Sequence, residues 1–206
     1  MNVDSLKLRK RVAREAASLL YFGVEKEYKQ AKLKAAKIVQ SKFLPTNLEV
    51  ALELDKIAEE NEGSARKERL IQMRKEALRL MKILKAYKPL LIGSVWRGTI
   101  RYDSDMDIVV VYHDEPEDIL KVLKQNDLKI MQAEWVAVTK KGKRKGSFHV
   151  YAELPIKEKA EIKIVQSSEA SEKEKCEIYG DEITGLSVQK LEKLLKENPA
   201  QRFVPS

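Results

Sequence analysis

Over residues 6–39 apolar side chains return every three or four positions, as Leu8, Val12, Ala16 and Leu19, then Val24, Tyr28, Ala31, Ala35 and Ile38. That spacing gathers them on one side of an amphipathic helix, and Gly23 divides the run into two pieces. Leu44-Pro45-Thr46 ends this unit, with Thr46 or Asn47 placed to cap a helix over 48–60. Gly63 and Ser64 mark a break, the one a terminator and the other a new N-cap. A third helix is expected over 65–87, with Leu70, Met73, Ala77, Leu80 and Leu84 on one stripe and Pro89 closing it.

The pattern changes at Pro89. Leu90-Leu91-Ile92 is a short apolar run that ends in Gly93-Ser94, and Met106 to Tyr112 (MDIVVVY) is a β-branched strand. A short helix follows over 117–125. Strands are expected over 129–139 and 146–154, joined by the basic turn KKGKRKG, then over 160–165, before a C-terminal helix over 187–197 capped by Ser187. The fold class is therefore α+β. A helical, basic region (1–88) precedes a mixed-sheet domain with flanking helices (89–206), and there is no internal repeat.

Within GSVWRGTIRYDSDMDIVVV, Asp105 and Asp107 lie two apart at the entry of a strand, so both side chains leave the same face. Two neighbouring carboxylates repel unless a cation lies between them, and magnesium prefers carboxylate oxygens together with substrate phosphates. Gly93 permits close backbone approach, the Ser94 hydroxyl can hold a phosphate, and Arg97 adds a cation nearby, either for transition-state charge or for a surface salt bridge. Two rival motifs fail. Thr99-Ile100 stands where a P-loop needs Lys-Ser/Thr, and Ile108 replaces the glycine that a calcium loop requires. An isolated Asp-x-Asp would merely solvate a strand end; here Gly-Ser, Arg-Gly and Asp-x-Asp occur in order.

These elements resemble the signature of the DNA polymerase beta-like nucleotidyltransferase superfamily, of minimal or archaeal type, over about 89–165. The stretch YAELPIKEKAEIKIV is similar to the catalytic domain of archaeal CCA-adding enzymes. The resemblance implies an enzyme that moves a nucleoside monophosphate from an NTP, such as ATP, to an acceptor hydroxyl with release of pyrophosphate. Two Mg²⁺ ions (or Mn²⁺) would be held by Asp105, Asp107 and a third carboxylate. Glu161 is the expected third ligand, although aspartate is more usual there, and Glu153 is the alternative. Gly93, Ser94 and Arg97 would bind the nucleotide, and Lys163 would either meet a phosphate or be solvated.

Charge bears on the acceptor. The chain carries 40 Lys and Arg against 32 Asp and Glu, a formal +8. Residues 1–40 hold ten cations and four acids, and the turn adds Lys140, Lys141, Lys143, Arg144 and Lys145 with no acid. Such patches suit a nucleic-acid backbone, with Trp96, Tyr102 and Trp135 available to stack on bases, though Trp135 is expected in the core. The acceptor expected is RNA. A protein or small-molecule acceptor is the alternative, as is a non-catalytic nucleic-acid-binding or toxin–antitoxin-type protein, against which the retained Asp105 and Asp107 argue. One cysteine, Cys176, and two histidines exclude a disulfide scaffold and make neither a zinc site nor a cysteine nucleophile. With no apolar run of about 20 residues and no secretory leader, the expected location is cytoplasmic, away from the membrane.

Overall fold

The computed structural model describes residues 3–112, 115–140, 143–155, 157–167 and 174–205, with the backbone alone at 3, 138–140 and 143–145. The chain divides into two compact units, 1–66 with 175–181 and Pro205, and 67–174 with 182–204 and Ser206.

The first unit is helical, with α1 (Val3–Tyr21), α2 (Tyr28–Val39) and the opening of α3 (Asn47–Ile83). Its core is built largely of alanine (Ala13, Ala16, Ala17, Ala31, Ala35, Ala58) with Val12, Leu20, Val50 and Ile57. α1 ends where Gly23 takes a φ of 69°, and Val24 N–H reaches back to the Leu19 carbonyl at 2.9 Å. That is the left-handed glycine stop that satisfies orphan carbonyls. α3 starts from a reciprocal cap. Thr46 Oγ1 accepts from Glu49 N–H at 3.2 Å, and Glu49 Oε2 accepts from Thr46 N–H at 2.6 Å. Of the two expected caps, Thr46 is the one used. Gly63 (φ 54°, ψ −135°) interrupts α3, at the expected break.

The second unit holds the rest of α3 and a six-stranded mixed sheet in the order β3-β4-β5-β2-β1-β6. The strands are β1 (Leu90–Ile92), β2 (Met106–Tyr112), β3 (Lys129–Lys140), β4 (Lys143–Glu153), β5 (Lys159–Gln166) and β6 (Leu186–Ser187), with helices α4 (Gly93–Arg97), α5 (Glu117–Gln125) and α6 (Val188–Glu197). β2 runs parallel to β5 and antiparallel to β1, and β4 is antiparallel to both β3 and β5. Strict alternation gives the sheet two faces. Met106, Ile108 and Val110, with Ala160, Ile162, Ile164, Phe148, Val150 and Ala152, are buried among Leu70, Met73 and Leu80 of α3, Leu84 just beyond it, Ile119 and Leu123 of α5, and Leu191 and Leu194 of α6. The opposite face carries Asp107, Val109, Glu161 and Lys163, all half-buried. Ser187 caps α6 as expected, accepting from Lys190 N–H at 3.4 Å.

The aromatic expectations change. Trp135 is not a core residue: it is 56% exposed on edge strand β3, resting against Phe148 with ring centroids 5.3 Å apart. Trp96, by contrast, is only 4% exposed and so is withdrawn from base stacking, whereas Tyr102 is exposed. No described helix is long and apolar enough to cross a membrane.

Candidate active site

The site grows from the pairing of three strands. Asp105 immediately precedes β2 and Asp107 is its second residue, so the two-residue period turns both onto the open face of the sheet. The parallel register sets Glu161 of β5 directly across from Asp107. Oxygens of Asp105, Asp107 and Glu161 consequently lie within 4.8 Å of one another. Glu153 is not part of this group; it stands opposite Lys159 and pairs with Lys129 at 3.4 Å.

β1 brings the glycine turn to the same place. Its last residue, Ile92, is in register with Asp107, and Gly93 follows with a φ of 69°. A Cβ at Gly93 would lie 1.8 Å from Asp107 Oδ2. Glycine is thus required both by the backbone conformation and by the carboxylate beside it. Ser94 comes next, half-buried in the first turn of α4.

Arg97 does not face the carboxylates. It is 4% exposed, its Nη1 donates to the Phe203 carbonyl at 3.0 Å, and its own carbonyl accepts from Phe203 N–H at 2.9 Å. Its guanidinium also lies 4.4 Å over the Trp96 ring, so it is no surface salt bridge. Lys163 lies 3.9 Å from Glu174. Lys141 falls outside the described residues, as do the side chains of Lys140, Lys143, Arg144 and Lys145.

The electrostatics follow from gathering three acids. Burial, reinforced by the charges of Asp105 and Glu161, pushes the Asp107 carboxyl up to about 7. Asp105 is raised chiefly by burial, with Glu161 and Asp103 adding to the effect while its own backbone N–H and Lys159 oppose it. Such a cluster favours a bound divalent cation: oxygen donors at close range, with repulsion that a counter-charge relieves. The donor set therefore fits magnesium.

Several supporting residues escape a reading of the sequence. Arg74 of α3 is fully buried, donating to the carbonyls of Val95 (3.0 Å), Trp96 (2.8 Å) and Pro199 (2.7 Å). It thereby holds the end of α4, and burial lowers its pKa to about 10, still charged at neutral pH. Arg69 donates to the carbonyls of Arg101 (2.6 Å) and Ser104 (3.0 Å) while clasping Glu158 through two bonds of 3.0 and 2.8 Å. It ties the loop entering β2 to the residue entering β5. On β4, His149 and Tyr151 stand against Glu161, and Ser147 stands against His149. Their i, i+2, i+4 spacing was the available signal, but only the β4–β5 register directs it at Glu161.

No curated protein matches the chain in sequence. A solved structure described as that of a cytoplasmic RNA terminal U-transferase is 15% identical over 57% of this chain and 34% of its own, with a TM-score of 0.29. The profile of the nucleotidyltransferase domain matches residues 70–178. That span is more than half of the chain and takes in β1, α4, the Asp-x-Asp strand and β5, and on this match the chain belongs to the nucleotidyltransferase-domain family, within the DNA polymerase beta-like superfamily.

Proposed function

We propose that the protein transfers a nucleoside monophosphate from an NTP to a hydroxyl of RNA, releasing pyrophosphate. The observation that carries this reading is the convergence of Asp105, Asp107 and Glu161 beside the Gly93 turn. In the reaction the acceptor oxygen bonds to the α-phosphorus, the bond from that phosphorus to the pyrophosphate oxygen breaks, and the hydroxyl proton is lost to solvent or a carboxylate. Asp105, Asp107 and Glu161 would hold two Mg²⁺ ions. Bound there, magnesium supplies a lowered hydroxyl pKa and charge neutralisation at the leaving oxygen. The Gly93 backbone and the Ser94 hydroxyl bind the β- and γ-phosphates, and Gly93 leaves them room by lacking a side chain.

RNA is favoured as acceptor by a groove in the helical unit. It encloses about 600 Å³ and is lined by Lys7, Lys10, Arg11 and Arg14 of α1 and by Lys56, Glu53 and Glu60 of α3. Both glutamates are already paired, Glu53 with Lys56 at 2.7 Å and Glu60 with Arg14. Lys7, Lys10 and Arg11 thus have no carboxylate partner among the described residues and are available to phosphates.

The test incubates the protein with each labelled NTP, Mg²⁺ and a mixed RNA pool, with Asp107→Asn as control, then separates RNA, protein and small molecules. Label on RNA, lost in the variant, is expected. Label on protein alone would overturn the RNA acceptor, and equal label from the variant would overturn the site. A Lys7→Glu/Lys10→Glu/Arg11→Glu variant should bind RNA at least tenfold more weakly and with a shallower salt dependence.

A further inference from the structure

The chain of contacts behind Glu161 has no part in the function proposed above. His149 Nδ1 lies 2.5 Å from Glu161 Oε1, and His149 Nε2 lies 2.7 Å from Ser147 Oγ. All three side chains are substantially buried, His149 at 13% exposure and Glu161 at 25%. A glutamate oxygen in a metal-binding cluster offers only lone pairs, so His149 Nδ1 carries the hydrogen and donates. Nε2 pairs with the Ser147 hydroxyl, a group that both donates and accepts. The imidazole ring is held at both ends.

We propose that His149, fixed by Ser147, is the positioning residue for the third carboxylate: it occupies Glu161 Oε1 and leaves Oε2 directed at the cation site between Asp105 and Asp107. This rests on the metal-binding reading of the site. The physical need comes from the length of Glu161. Asp105 and Asp107 are short side chains at a strand entry, oriented by the backbone. Glutamate has one more rotatable bond, and the rotamer freedom it loses on reaching a metal opposes binding. A hydrogen bond from a fixed ring removes that freedom beforehand. Tyr151, the residue of β4 in register with Glu161, also hydrogen-bonds it and steadies it from the flank. Partners behind a metal ligand commonly contribute ten- to a hundredfold in metal affinity.

The experiment measures Mn²⁺ affinity of the full chain by electron paramagnetic resonance, without nucleotide, so that turnover is not the readout. His149→Leu removes the donor and is expected to weaken Mn²⁺ binding ten- to a hundredfold. His149→Asn places an amide N–H near the position of Nδ1 and should recover affinity to within about threefold of wild type. Wild-type affinity in His149→Leu overturns the proposal, and so does a His149→Asn variant as weak as His149→Leu, which would mark a merely structural role. Should His149→Leu fail to fold, Ser147→Ala carries the test: a loss of several-fold is expected, and unchanged affinity overturns the proposal. Asp107→Asn separates the two readings. If it binds Mn²⁺ like wild type, the metal site itself is wrong; if it loses Mn²⁺ while His149→Leu does not, only the positioning role fails.

Discussion

Replacing Asp107 with asparagine should stabilise the metal-free protein at alkaline pH while destroying its site. The Asp107 carboxyl, ordinarily near 3.8, is pushed up to about 7 by burial and by Asp105 and Glu161. Below about pH 4 it is protonated in the folded and the unfolded chain alike, and folding then carries no ionisation cost. Between about 4 and 7 the unfolded chain has released the proton that the folded chain retains. Stability therefore falls as pH rises, at about 1.4 kcal/mol per pH unit. By pH 8 the accumulated loss is on the order of 4 kcal/mol, of which about 1.5 kcal/mol has already gone by pH 5. Asparagine is nearly isosteric and neutral throughout, so Asp107→Asn escapes the loss.

The stability of the variant relative to wild type should thus improve by about 2.5 kcal/mol between pH 5 and pH 8, or about 5–10 °C in Tm for a chain of this size. Urea and thermal melts in EDTA at the two pH values measure it. Magnesium added at pH 8 should raise the wild-type Tm and leave that of the variant unchanged, because only a ligand that binds the folded state stabilises it. A gap between variant and wild type that is constant or shrinks with pH would refute the account, since a carboxylate in a relaxed, solvated position has no such penalty to lose.

Gly93→Ala sets a methyl group against Asp107 Oδ2 at a left-handed φ; nucleotidyl transfer should fall more than a hundredfold and stability by about 2 kcal/mol or more in urea melts. Gly180→Ala, also at positive φ but with nothing within 4 Å, should cost only about 1 kcal/mol and spare transfer. Arg74→Met keeps much of the volume but orphans the carbonyls of Val95, Trp96 and Pro199; a loss of about 3 kcal/mol is expected by denaturant titration. Trp96→Ala should destabilise by about 3–5 kcal/mol and Trp135→Ala by less than about 1 kcal/mol, and equal losses would contradict the burial difference between them.

What could be read from the sequence is what local spacing determines. The β-branched run bounded by Met106 and Tyr112 predicts β2 to the residue, and the two-residue period alone places Asp105 and Asp107 on one face. Membership of Glu161 needed more, because Glu153 lies on an equally plausible strand, and only the parallel β2–β5 register separates them. The supporting residues depend on register and burial that no short window contains. His149 faces Glu161 because β4 runs antiparallel to β5. Arg74 looks like the polar side of an amphipathic helix until the end of α4 and Pro199 close over it, and Arg97 looks like a free cation until Phe203 does the same. Trp135 was expected inside because aromatic alternation marks a strand but does not say that the strand is the sheet's edge.

Arg69, Arg74 and His149, which local spacing does not reveal, have a common physical character: each satisfies a backbone carbonyl or a carboxylate. Three carboxylates within 4.8 Å resist one another, and stability must come from the scaffold behind them. Arg69 binds the approaches to β2 and β5, Arg74 holds α4 beneath the glycine turn, and His149 restrains the longest of the three acids. Motif residues are determined by chemistry and recur at fixed spacing. The residues that keep a repulsive motif in place need only reach it, so they can come from any neighbouring element. For that reason the strongest part of the sequence signal marks the carboxylate cluster, while the cost of holding that cluster together is met by residues whose role emerges only from the fold.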